Sequence, residues 1–346
     1  MGLPQDCYIN LPSKFKKGKR NLITDVKGVR VGQVTLEDSS KTINTGVTAI
    51  IPNEGNLFKN KIVGATSVIN GFGKSVGLVQ IDELGTIESP IIMTNTFSVG
   101  TALNATIKYM LKDNEDIGID TGTINCVVTE CNDGRINNIR EMAVTEDDVL
   151  EALNTSTDEF DEGDVGSGTG MVCMEMKGGI GSASRIVTCD GNDYTIGAIV
   201  MTNFGMAGNL RINGKKVEDV REDIKQEKEQ GSCILIIGTD LPMSSRQLRR
   251  VAKRATVSLS RTGSFLGNGS GDIAVAFSNG NTIPHYSDKQ LFDVTIFNDD
   301  KIDDIFEATA EVVEESIISS LYHAKTRKGL NDKVFESLND IIAKSE

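Results

Sequence analysis

The sequence predicts an α+β or α/β protein in which layered sheets are covered by helices. Three observations carry this. Short apolar, β-branched runs of strand length occur in groups and do not alternate one-for-one with helices, which disfavours a simple doubly wound sheet. Helical periodicity is confined to a few well-marked stretches. The 35 glycines are scattered without a repeat, as tight turns and close backbone approaches require. No repeat and no low-complexity linker divides the 346 residues, so the chain is read as one domain, residues 1–346.

The elements follow in order. Residues 21–36, NLITDVKGVRVGQVTL, read as strand, turn, strand, with Gly28 and Gly32 as turn signals. Residues 46–52, 61–69 and 89–94 are buried-strand candidates. Residues 99–112 turn helical, with Leu103, Ile107 and Met110 on one face. CVVTE (126–130) is a strand running into an Asn132-Asp133-Gly134 turn. Thr145 caps a helix through Leu153, with Asp148 at the capping-box position. Residues 162–181 are rich in glycine, and 194–200 form a strand. Residues 215–230 are expected to be a charged, exposed helix ending near Gly231. CILII (233–237) is a fully apolar strand, and Ser244 with Gln247 forms a second capping box for a helix through Lys253. Residues 273–277 are a further strand, and 305–322 a long amphipathic helix.

Composition bounds function by exclusion. The net charge of −13 argues against nucleic acid and anionic membranes as partners. The basic run KFKKGKR (14–20) is read as a solvated arm. None of the six cysteines is spaced C-x-x-C, and the two histidines, His285 and His323, stand in no H-E-x-x-H pattern. Metal hydrolysis and histidine triads are therefore disfavoured, and no metal or other cofactor is expected. MGLPQDCYIN has no apolar segment of a secretory signal, Asp6 breaks the myristoylation pattern, and no apolar run reaches membrane-spanning length. A cytoplasmic location is expected.

Two phosphate-binding look-alikes fail. Gly73-Lys74-Ser75 resembles the end of a Walker loop, but Val68 stands where the first glycine belongs. Gly166, Gly168 and Gly170 lack the spacing and the strand-to-helix context of a dinucleotide fingerprint, and are read as a tight loop beside a site. Chemistry is better placed in QGSCILIIGTD (230–240). A serine at the start of a buried strand is held rigidly. If the Gly231–Ser232 bond were cut, Ser232 would carry both a hydroxyl and a new α-amine. An α-amine titrates near 8 and can accept a proton at neutral pH. TGSFLGNGSGD (262–272) offers Ser264, Ser270 and Asp272 on a glycine-flexed loop before a strand.

These stretches resemble the DmpA-like L-aminopeptidase/D-esterase-amidases and the β-peptidyl aminopeptidases. The similarity runs almost end to end through ITDVKGVRVG (23–32), MTNTFSVG (93–100), VTECNDG (128–134), GDVGSGTGM (163–171), GSCILIIGTDLP (231–242), QLRRVAKRA (247–255) and RTGSFLGNGSGDI (261–273). The resemblance implies a four-layer αββα sandwich, cofactor-free and homo-oligomeric, with a tetramer as the expected assembly. It implies a self-processing serine aminopeptidase of the N-terminal-nucleophile type, releasing N-terminal residues from short peptides, amides or esters. Ser232 then matches the nucleophile and Gly231–Ser232 the autocleavage bond, giving chains 1–231 and 232–346. Ser270 and Asp272 match the pair that organises the proton network, Asn203 the oxyanion donor, and Glu130 the carboxylate near the substrate amine. Asn132, a substrate-side candidate, stands where some members carry tyrosine, and Lys74 where an acid is common. An acyltransferase of the same fold is the nearest rival, but those resemble this chain with threonine at the cleavage point. A non-catalytic homologue acting as a binding protein would not need Ser232, Ser270, Asp272 and Asn203 together.

Overall fold

A computed structural model describes residues 11–217, 224 and 228–345. Its two main sheets are built, in chain order, from β1 (Arg30–Asp38), β2 (Ile43–Ile51), β3 (Asn60–Val68), β4 (Thr86–Ile87), β5 (Ile91–Asn95), β6 (Val127–Cys131), β7 (Gly179–Cys189), β8 (Asn192–Asn203), β9 (Gln230–Thr239), β10 (Gly269–Ser270) and β11 (Ile273–Pro284). The smaller sheet has the order β1-β2-β5-β6. The larger runs β4-β3-β11-β9-β8-β7, with the short β10 paired to the start of β9. The helices are α1 (Leu78–Leu84), α2 (Val99–Leu111), α3 (Glu146–Asn154), α4 (Ser245–Ala252), α5 (Ala255–Arg261), α6 (Asp303–Tyr322) and α7 (Leu338–Ser345).

Three apolar interfaces stack these elements into four layers. Between the sheets, Ile50, Met93 and Val127 of the smaller meet Met201, Ile234, Ile236 and Val275 of the larger. Outside the smaller sheet, Val47, Ala49, Ile92 and Val128 pack under Ala102 and Ala105 of α2 and Val149 and Leu153 of α3. Outside the larger, Leu235, Ile237, Ala274 and Ala276 pack under α4, α5 and α6 through Leu248, Leu259, Val313 and Ile317. The result is the expected αββα sandwich. It also explains why CILII is apolar without alternation: β9 is buried on both faces. Ile234 and Ile236 face the other sheet, while Cys233, Leu235 and Ile237 face the helices. By the same period of two, Ser232 shares the face of Ile234, toward the gap between the sheets, and Cys233 lies on the opposite face.

Most expected elements form. Both capping boxes close: Thr145 Oγ1 accepts from the Asp148 N–H and Ser244 Oγ from the Gln247 N–H. Three expectations are corrected. The first half of residues 21–36 is a 3-10 turn, Ile23–Asp25, not a strand. The Asp25 carboxylate accepts from the N–H groups of Arg20 and Leu22 there, so the backbone is satisfied without a ladder. The charged helix expected over 215–230 is contradicted at both ends. Lys215–Lys216 pairs with Arg211–Ile212 as a hairpin, and Gln230 already belongs to β9. Residues 218–223 and 225–227 lie outside the described residues. The basic run is not a solvated arm. Lys14 is bonded to Asp304 and Glu307 and Lys17 to Glu315, all on α6, while Arg20 bonds Asp158. Among the described residues, no helix is long and apolar enough to cross a membrane.

Candidate active site

β9 enters the large sheet between β8 and β11, antiparallel to the first and parallel to the second. That placement assembles the candidate residues. Asn203, the last residue of β8, is the register partner of Ser232. On the other side, β10 runs parallel to the start of β9 and sets Ser270 beside Gly231. Ser232 is 7 % exposed, Ser270 2 % and Asp272 1 %.

The polar contacts are specific. The Ser270 hydroxyl donates to Asp272 Oδ1 at 2.7 Å, and the side-chain amide of Asn70 reaches Asp272 Oδ2 at 3.4 Å. Burial pushes the Asp272 carboxyl up to about 6, against the hydrogen bonds from Ser270, Asn70 and the Cys233 main chain that pull it down. The Gly271 N–H lies 3.1 Å from the carbonyl oxygen of Gly231 and 3.2 Å from Ser232 Oγ. One backbone donor therefore faces both the carbonyl and the hydroxyl of the bond that the sequence singles out. This donor has no side-chain signature, and the sequence reading missed it.

Two glycines make this approach possible. Gly231 has φ +115°, in the region that disfavours side chains. A Cβ on Gly271 would stand 2.5 Å from the Phe72 carbonyl oxygen.

Asn203 is held on both sides of its amide. Oδ1 accepts the Val172 N–H at 2.9 Å, and Nδ2 donates to the Asn132 carbonyl oxygen at 3.0 Å. The second bond ties the large sheet to the loop after β6. The Asn132 side chain is exposed and accepts from the Gly134 N–H. Glu130, on β6 and 3 % exposed, accepts the Lys74 N–H at 2.7 Å and the Thr96 hydroxyl. It belongs to the same neighbourhood: a Cβ on Gly73 would lie 3.5 Å from Glu130 Oε1 and 3.9 Å from Gly271 Cα. Ser264 does not join the cluster. Its hydroxyl bonds buried Glu229, which also accepts the N–H groups of Phe265 and Gly267 and so shapes the loop leading to Ser270. A cleft of about 840 Å³ opens beside Asn203 and Gly231, with Asn132, Arg135, Val172 and Met174 also in its wall. Among the described residues, no three His, Cys, Asp or Glu side chains are grouped to hold a metal.

Residues 21–335 match the family model described as peptidase family S58. This chain belongs to peptidase family S58. It is 35% identical to the β-peptidyl aminopeptidase BapA of Sphingosinicella microcystinivorans, over 97% of this chain and 89% of that one. Among solved structures it is similar to the PH0078 protein from Pyrococcus horikoshii OT3, at 48% identity and a TM-score of 0.90, covering 98% of this chain and 96% of that one. It is also similar to the L-aminopeptidase D-Ala-esterase/amidase of Ochrobactrum anthropi, described as a prototype for the serine aminopeptidases with a variant of the Ntn hydrolase fold. That match has 31% identity and a TM-score of 0.87, covering 97% of each chain. The layered architecture of this S58 peptidase is thus the Ntn-hydrolase fold of its neighbours.

Proposed function

We propose that this S58 aminopeptidase uses Ser232 as its nucleophile and makes that nucleophile by cutting its own Gly231–Ser232 bond. The observation that carries the reading is the Gly271 N–H, shared between the Gly231 carbonyl oxygen and Ser232 Oγ. In maturation, Oγ attacks the Gly231 carbonyl carbon. The negative charge develops on an oxygen that already faces the Gly271 donor, where a preorganised dipole lowers the barrier most. The C–N bond then breaks, the nitrogen of Ser232 takes up the proton lost from Oγ, and water hydrolyses the resulting ester. The products are residues 1–231 and 232–346.

In turnover, the same Oγ attacks the acyl carbon of a substrate in the cleft. The α-amine of Ser232 accepts the hydroxyl proton and returns it to the leaving amine. Because Ser270 donates to Asp272, its oxygen is left as an acceptor for the amine. The Gly271 N–H and the Asn203 amide stabilise the oxyanion. Glu130, buried and close to Gly271, receives the substrate's ammonium group, whose desolvation needs a fixed anion. Substrates are short peptides, amides or esters with a free amine; relatives carry names referring to β-peptides and to L- and D-residues, so a panel of L, D and β aminoacyl p-nitroanilides assigns the preference. Leu291, Phe292, Val294 and Ile296 stand exposed in one short run, which supports a homo-oligomer. The direct test is mass spectrometry of purified protein. Wild type should give two pieces, the smaller starting Ser-Cys-Ile-Leu, and Ser232→Ala should remain whole. A fully intact wild type with undiminished activity would overturn the reading.

A further inference from the structure

Lys177 is fully buried, yet among the described residues it makes no ion pair. Its ammonium spends its three hydrogens on main-chain oxygens: Gly168 at 3.0 Å, Met171 at 3.0 Å and Gly178 at 2.6 Å. Asp164, the carboxylate whose charge most favours the ammonium, is instead bonded to Arg327 and the Lys325 N–H. Burial drives the Lys177 amine down to about 7. Holding a cation in such a place is costly, and what it holds is the glycine-rich segment 166–171, which has few side chains of its own to fix it.

The Met171 carbonyl and the Val172 N–H are the two ends of one peptide unit. Lys177 grips the first, and the second donates to Asn203 Oδ1. A charged donor on the oxygen of an amide polarises that amide and strengthens the bond its N–H gives. It also fixes which way the Asn203 amide faces. With Oδ1 turned to Val172, Nδ2 must face the other way, where one of its hydrogens goes to the Asn132 carbonyl oxygen and the other is left for an oxyanion.

We propose that Lys177 is a positioning residue that orients the Asn203 amide through the Met171–Val172 peptide, and so sets the oxyanion donor without touching substrate. This rests on the reading of Asn203 given above. It separates Lys177 from an ordinary core pin, because its effect must pass through one other side chain.

The test is a double-mutant cycle on one aminoacyl p-nitroanilide, with kcat referred to the processed fraction of each protein. Asn203→Ala alone should lower kcat about 100-fold. Lys177→Met alone should lower kcat about tenfold with KM nearly unchanged, and should add nothing in the Asn203→Ala background. If Lys177→Met does not yield soluble protein, Lys177→Gln, which keeps two N–H donors without the charge, carries the same cycle. Equal losses in both backgrounds would overturn the positioning role and leave the Asn203 assignment intact. Full activity in Asn203→Ala would remove the oxyanion assignment, and this inference with it.

Discussion

A Cβ placed on Gly231 would stand 1.9 Å from the carbonyl oxygen of Asn203. The bond before Ser232 therefore fits the sheet only because its acyl side has no side chain. Gly231→Ala should displace the start of β9 from β8, and with it the shared Gly271 donor. Gel electrophoresis should show an uncut chain, and calorimetry a lower melting temperature, since a substituent is also strained at φ +115°. Normal processing in this variant would mean that the strand tolerates a shift that the geometry forbids.

The Asp272 carboxyl gives the second expectation. Burial raises it to about 6 from 3.8. The sign for stability is that of any raised group. Its favourable contribution is full below 3.8 and is lost as pH rises through about 6, so Asp272 does not cause acid unfolding. Activity moves the other way, because the ionised carboxylate is the form that holds Ser270 as an acceptor. A profile of kcat/KM against pH should fall below about 6 while the protein stays folded. In Asp272→Asn that limb should vanish and the plateau drop by on the order of 100-fold. An unchanged limb in the variant would assign it to another group.

Glu130 should govern recognition of the free amine. Glu130→Gln should mainly raise KM for free-amine substrates, by on the order of 2 kcal/mol, as removal of a charged hydrogen-bond partner does. N-acetylated analogues should be poor substrates for wild type and no poorer for the variant. Equal losses on both would give Glu130 a role in holding Lys74 and Thr96 instead, and place the ammonium site elsewhere.

Arg185 gives a prediction about the scaffold. It is 1 % exposed and bonds Glu311 and Glu315 on α6. Burial would raise Glu315, but Arg185 and Lys17 outweigh it and hold the carboxyl below its usual value. Its contribution is present above the unfolded value of 4.5 and lost as pH falls through the lowered one. Arg185→Met should cost about 3 kcal/mol in urea unfolding at neutral pH, because half-buried Glu311 loses its guanidinium and buried Glu315 is left with Lys17 alone as cationic partner. The loss should shrink in acid.

Much of the fold was legible because it rests on local signals. Thr145 with Asp148 and Ser244 with Gln247 announced their helices, and CILII announced a fully apolar strand. The misses have physical causes. The Asn213-Gly214 dipeptide, both residues at positive φ, makes the tight hairpin that the charge pattern of 215–230 concealed. β7 was overlooked because GIGSASR is poor in large apolar residues. α6 lies so close that a Cβ on Gly181 would be 1.9 Å from the Ser316 carbonyl oxygen, so smallness there is a packing demand. At the candidate site, Ser232, Ser270 and Asp272 were picked out from the residues themselves, and Asn203 and Glu130 through the family resemblance alone. What stayed hidden was main-chain chemistry, the Gly271 N–H above all, and supports brought in from far along the chain, such as Asn70, Thr96 and Lys177. No spacing rule links position 177 to position 203.

The strand order has one more consequence. β9 from Ser232 onward and β11, both downstream of Gly231, lie side by side with β8 on one flank and β3 on the other, and both flanking strands come from upstream. A cut at Gly231–Ser232 therefore frees no part of the molecule; it leaves two interleaved chains in a fixed one-to-one ratio. It does change how the molecule can be made. The uncut chain folds as a unimolecular event at any dilution, whereas the cut pair, once denatured, must meet by diffusion and compete with aggregation of each exposed half. Processing would act as a ratchet on the protein's life history: assembly is easy once, and recovery depends on concentration thereafter.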